Sequence, residues 1–147
     1  MVNVNFPKDA VAPNPDWPGW LKNQFETNTA NGCVGGKLVS ETENLRVWHI
    51  LLKPGERLPV HKHVLNYFWT VISPGRARSH YHDGSTVEMS YALGDTVHHG
   101  YAKGEFMMHD LQNVGHTPLG FTTVEFLDSP NEPMSPKPAE QPVAVPA

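Results

Sequence analysis

Hydrophobic and polar positions alternate in short runs along this chain. LRVWHILL, NYFWTVI, TVEMSYAL and FTTVEFL are rich in β-branched and aromatic residues, and each is closed by turn chemistry. CVGGKLVS, LPVHKH, ARSHYH, DTVHHG and EFMMHDLQN add five weaker runs of the same kind. The separators KPGE, SPGR, HDGS and LGD carry Gly, Pro and Asp, and the Asp83-Gly84 pair predicts a tight hairpin. Nine short strands between residues 33 and 128, with no long helical periodicity, predict an all-β fold: a single antiparallel barrel or jelly roll.

The ends differ from the middle. Residues 1–32 hold FPKDAVAPNPDWPGW, with four prolines and two tryptophans, and read as an extended arm whose Trp17 and Trp20 need a surface to pack on. Residues 129–147 hold six prolines and read as a mobile or polyproline-like tail.

Composition narrows the partners. The chain has 147 residues, enough for one domain with a real core, and a net charge of −4. No Lys/Arg cluster is present to neutralise phosphates, which argues against nucleic acid. No apolar run approaches the roughly 20 residues that span a bilayer, and no signal peptide is apparent, so a cytoplasmic location without membrane contact is expected. The lone Cys33 excludes an internal disulfide and fits a reducing compartment.

Nine histidines are the outstanding chemical feature. On a strand, residues i and i+2 face the same way about 7 Å apart, and two imidazoles can converge on one ion at about 2.1 Å. His61 and His63 meet this condition between a turn and an apolar run. His80 and His82 meet it too, but they precede the Asp83-Gly84 turn, where a solvated hairpin end is expected. His98 and His99 are adjacent and point to opposite faces. His109, after Phe106, Met107 and Met108, is a third buried candidate; a single buried histidine, however, is more often a hydrogen-bonded core residue than a ligand.

Gly55-x5-His61-x-His63-x4-Phe68-x6-Gly75 resembles the first motif of the cupin superfamily, with Phe68 where a glutamate usually stands. His109-x3-Asn113, after the Gly94-Asp95 turn, is similar to the end of the second motif. The likeness covers about residues 33–128, and the His-x-His-x2-Asn-Tyr arrangement is similar to small bacterial cupins associated with beta-alanine degradation. The resemblance implies an RmlC-like barrel, a homodimer, and a divalent transition metal held by His61, His63 and His109.

Three neutral imidazoles leave such an ion its full charge, which favours an anionic ligand, and leave coordination positions open for a chelating substrate. Iron is expected first, for oxygenase chemistry, with zinc, manganese or nickel as alternatives. Tyr67 is the candidate catalytic group, as a donor of a proton or hydrogen bond, although a Tyr in NYFW is commonly packed with its hydroxyl at the rim. Phe68 is expected as an apolar wall. Asn66 either orients a ligand or serves its turn. Glu88, Glu105, Tyr101 and His99 are possible further donors. Arg46 and Arg78 would clamp a carboxylate if they faced inward, but alternation places them toward water, and Trp48 and Met107 are expected as core or pocket wall.

These features favour a metal-dependent enzyme acting on a small, anionic metabolite. A non-catalytic binding module and a metal-free isomerase or epimerase are the alternatives.

Overall fold

The computed structural model describes residues 14–136 and the backbone of 143–144. Its strands follow the sequence runs: β1 (Lys37–Glu41), β2 (Leu45–Leu52), β3 (Glu56–His63), β4 (Tyr67–Ser73), β5 (Gly75–His80), β6 (Thr86–Tyr91), β7 (Thr96–His99), β8 (Met107–Asn113), β9 (Leu119–Phe126) and the two-residue β10 (Val143–Ala144). They form two five-stranded sheets, β1-β2-β9-β4-β7 and β10-β3-β8-β5-β6, with every pairing antiparallel. Gly84 turns the β5–β6 connection at φ +91°, a conformation that costs glycine nothing.

Alternation decides what lies between the sheets. On β2, Trp48, Ile50 and Leu52 are buried while His49 and Leu51 are exposed. Ile50, Leu52, Leu58, Val71, Ala77, Leu111, Leu119 and Phe121 fill one end of the interior. Burial of this kind is worth about 1.5–3 kcal/mol for each large side chain.

The arm is not wholly extended. Its Trp-rich end runs into α1 (Gly19–Thr27), which starts after Pro18 and contains no further proline. Trp17, Leu21 and Phe25, spaced four apart, cover Val60, Phe106 and Met108 on the outside of the β3–β8 pair. The surface that the tryptophans needed is thus the chain's own domain. Residues 1–13 of the arm lie outside the described residues.

The Pro-rich segment also differs from expectation in its first half. Asn131 donates to the carbonyls of Val64, Ala102 and Glu105, and the Met134 carbonyl accepts from Arg46, so residues up to 136 lie on the barrel. Residues 137–142 and 145–147 lie outside the described residues. Among the described residues no helix is long and apolar enough to cross a membrane.

Candidate metal centre

β3 and β8 build the site. His61 and His109 are paired directly across this ladder, and His63 pairs with Met107 one inward position further along. Leu58 pairs with Leu111 on the other side, so β8 advances two residues from Leu111 to His109 while β3 advances three. The extra residue is a β-bulge at Pro59–Val60, where proline has no N–H to give the ladder. Simple alternation would send Leu58 and His61 to opposite faces. The bulge puts both inside.

The bulge exposes backbone groups, and the N-terminal segment satisfies them. Val60 N–H donates to Gln24 Oε1 at 3.2 Å, and the Val60 carbonyl accepts from Asn28 and Asn31 Nδ2, each at 3.0 Å. Gln24 Oε1 also accepts from Arg57 Nη1 at 3.0 Å. Arg57 is 2% exposed and pairs at 2.7 Å with Asp110, the outward neighbour of His109. Burial pushes the Asp110 carboxyl up, but hydrogen bonds with His80 and the Arg57 guanidinium outweigh it and hold the group below its usual range.

Inside the barrel, one ligand nitrogen from each of His61, His63 and His109 lies within 4.8 Å of the others. Nε2 of His63 and Nε2 of His109 are 3.2 Å apart. Two imidazoles at about 2.1 Å from one ion and at a right angle to each other would stand about 3.0 Å apart, so the spacing fits a shared ion. His61 Nδ1–H donates to the Pro59 carbonyl at 2.8 Å, which fixes the tautomer and leaves Nε2 as the lone-pair nitrogen. Nδ1 of His63 and of His109 are buried with no hydrogen-bond partner among the described residues. Burial lowers His61 to about 4 and, with the neighbouring histidines, holds His63 and His109 well below the ordinary range. All three are therefore neutral at pH 7, the form that binds metal.

Tyr67 stands beside the cluster. It is 3% exposed, stacks on His63 with ring centroids 4.1 Å apart, and is flanked on its other side by His99 at 4.7 Å. It lines the interior rather than standing at a rim. Burial, then the neighbouring tyrosines, push its phenol well above the usual value, so it is a neutral donor. Phe68, expected as an apolar wall, points the other way: inward positions on β4 are Tyr67, Trp69 and Val71, and Phe68 meets His98 and Phe126 on the outer face.

Several other expectations change with the tertiary structure. His80 and His82 do not form a solvated hairpin end, because Trp17 and Phe106 cover them. His80 binds Asp110 and meets the edge of Trp17, while His82 is fully buried against Phe106 and accepts from Met108 N–H. Arg46 is buried rather than solvated, held by Glu41 and the Met134 carbonyl, and Arg78 pairs with Glu88; neither reaches the cavity. Glu105 accepts from Ala102 N–H, Asn66 accepts from Tyr101 N–H, and Asn113 closes the turn before β9. Trp48 is core, donating to Glu125 at 2.7 Å, whereas Met107 and His99 line the cavity.

Two residues near the site escaped the sequence reading. Tyr81 stacks on His109 at 5.4 Å, placed there by an isolated bridge between the two residues. Glu125 is a buried carboxylate opposite Tyr67 in the β4–β9 register, raised to about 7 by burial against the lowering effect of Trp48 and Arg46. Only cross-strand register marks either one.

No family model and no curated protein matches the chain. Solved structures do match. A cupin domain from Bordetella pertussis Tohama I is 19% identical with a TM-score of 0.53, over 61% of this chain and 88% of that one. An RmlC-like cupin family protein with a double-stranded β-helix fold from Methanocaldococcus jannaschii is 21% identical with a TM-score of 0.49, over 61% and 76%. A protein with a double-stranded β-helix domain from Klebsiella pneumoniae is 30% identical with a TM-score of 0.46, over 59% and 66%. The two five-stranded antiparallel sheets and the likeness to the Bordetella domain show that this chain has the all-β fold of that cupin domain.

Proposed function

We propose that this protein is a metal-dependent cupin that binds a small molecule by an anionic head at His61, His63 and His109 and acts on it, with oxygenase chemistry as the first reaction class to test. The reading rests on one observation above the rest: three neutral histidines from two paired strands bring their ligand nitrogens within 4.8 Å of one another at the wall of a cavity of about 300 Å³. A divalent transition metal bound there would supply Lewis acidity, and iron would add redox chemistry. The three side chains carry no charge, so the site favours a negatively charged ligand atom. Tyr67, a neutral phenol lining the same cavity, is proposed to donate a hydrogen bond to that ligand.

A second reading is a binding module without metal. The 3.2 Å contact between His63 and His109 favours it, since one Nε2–H could donate to the other and satisfy the pair. Elemental analysis decides between the two. Protein purified without chelator, and reconstituted anaerobically with iron, manganese, nickel or zinc, is expected to hold about one equivalent, and folded His61→Ala and His109→Ala variants little. No uptake of any of these metals by the parent would refute the metal reading. Iron-loaded protein would then be assayed for oxygen consumption.

The homodimer implied by family resemblance remains a proposal. Light scattering in solution tests it, and a monomer at all concentrations would dismiss it.

A further inference from the structure

None of the cavity-lining side chains among the described residues is Arg, Lys, Asp or Glu. One rung beyond the His61–His109 pair the wall becomes Leu58 and Leu111, with Phe121 facing them from the other sheet. Half-buried Met89 and Tyr91 on β6 and Val97 on β7 complete the apolar side. These two strands are sheet edges: among the described pairings β6 pairs only with β5, and β7 only with β4. The most exposed lining residue, Val87 at 38%, is on β6, so the lining is most open to solvent along this edge strand.

A second charged group on the ligand would find no counter-ion here, and it would exchange its hydration for hydrocarbon. An apolar group loses nothing and buries its surface. We propose that the ligand has an uncharged, largely apolar body, a ring or short alkyl chain, joined to one small oxygen-bearing head that carries at most a single negative charge; only the placing of that head at the histidines rests on the metal reading. The body occupies the space among Leu58, Leu111 and Phe121. The volume sets its size: about 300 Å³ is twice the roughly 150 Å³ that admits benzene, enough for a ring with a substituent. Dicarboxylates and phosphate esters are excluded by the same wall.

Quenching of intrinsic tryptophan fluorescence tests this directly, because Trp69 lines the cavity. Zinc-loaded protein is titrated with the straight-chain carboxylates from propanoate to hexanoate, with benzoate, and with succinate and phosphate. Apoprotein is titrated with the same carboxylates, and both forms with the matching alcohols and benzyl alcohol. Each added methylene is expected to tighten binding about fourfold in both series, the value of one buried CH₂. Succinate is expected to bind far more weakly than butanoate. Val97→Lys, which sets an ammonium at the half-exposed edge, is expected to strengthen succinate and weaken hexanoate. Succinate or phosphate binding as tightly as hexanoate, or no gain with chain length in either series, would overturn the proposal. A methylene gain with alcohols and carboxylates alike, with no dependence on zinc, would leave the apolar body standing and remove the metal reading instead.

Discussion

Gln24 is the residue through which the N-terminal helix is expected to act on the metal centre. Its Oε1 accepts from Val60 N–H at 3.2 Å and from Arg57 Nη1 at 3.0 Å, and Val60 is the bulge residue that directs His61 inward. Gln24→Ala removes the one oxygen that accepts both bonds. The neutral bond is worth about 1 kcal/mol and the one from the guanidinium about 1.5–3 kcal/mol. Arg57 Nε already lacks a partner among the described residues and the side chain is 2% exposed, so water replaces the loss poorly. Alanine returns a few tenths of a kcal/mol through its better helix propensity. The net expectation is a loss of about 2–3 kcal/mol, read in urea as a lower midpoint with unchanged slope. Asn28 and Asn31 still hold the Val60 carbonyl, so the variant folds, and its metal affinity is expected to fall about tenfold. Gln24→Glu keeps an acceptor for both donors and is expected to stay within about 1 kcal/mol of the parent. A loss below about 0.5 kcal/mol for Gln24→Ala, the size of an ordinary surface change, together with unaltered metal affinity, would refute the coupling between helix and site.

Three further outcomes follow from buried groups. Glu125 is raised from 4.5 to about 7, so its neutral form is favoured by folding; the associated stability is full below about pH 4.5 and is lost as pH rises through 7, about 3 kcal/mol in all. Glu125→Gln never ionises and keeps an acceptor for Trp48, so its melting temperature should gain on the parent between pH 5 and 8, and parallel pH profiles would contradict the assignment. Asp110→Asn strands the Arg57 guanidinium, with an expected cost of about 3–5 kcal/mol by chemical denaturation, and a loss under about 1 kcal/mol would show the pair to be dispensable. Tyr67→Phe is expected to retain metal and stability while weakening benzoate binding to the zinc form about tenfold, the size of one hydrogen bond; unchanged affinity would remove Tyr67 from the site.

Much of the architecture was legible in the chain because strands write their burial with a period of two. The runs around Val47–Leu52, Tyr67–Val71 and Phe121–Glu125 display inward and outward positions without any knowledge of their partners. The same periodicity made His61 and His63 a pair, and the resemblance added His109. What no local pattern could supply was register. The bulge at Pro59–Val60, the direct pairing of His61 with His109, and the choice of Tyr67 over Phe68 as the inward residue depend on how β3, β4, β8 and β9 lie against one another. The burial of His80, His82 and Arg46 likewise came from distant segments: Trp17 ahead of the helix, Phe106 ahead of β8, and the chain after β9 settle over them. Sequence alone determined the strands and their apolar faces, because side-chain alternation is a local property of the backbone. Tertiary structure alone decided which polar side chains meet in the interior, because a one-residue shift in pairing exchanges the two faces of a strand.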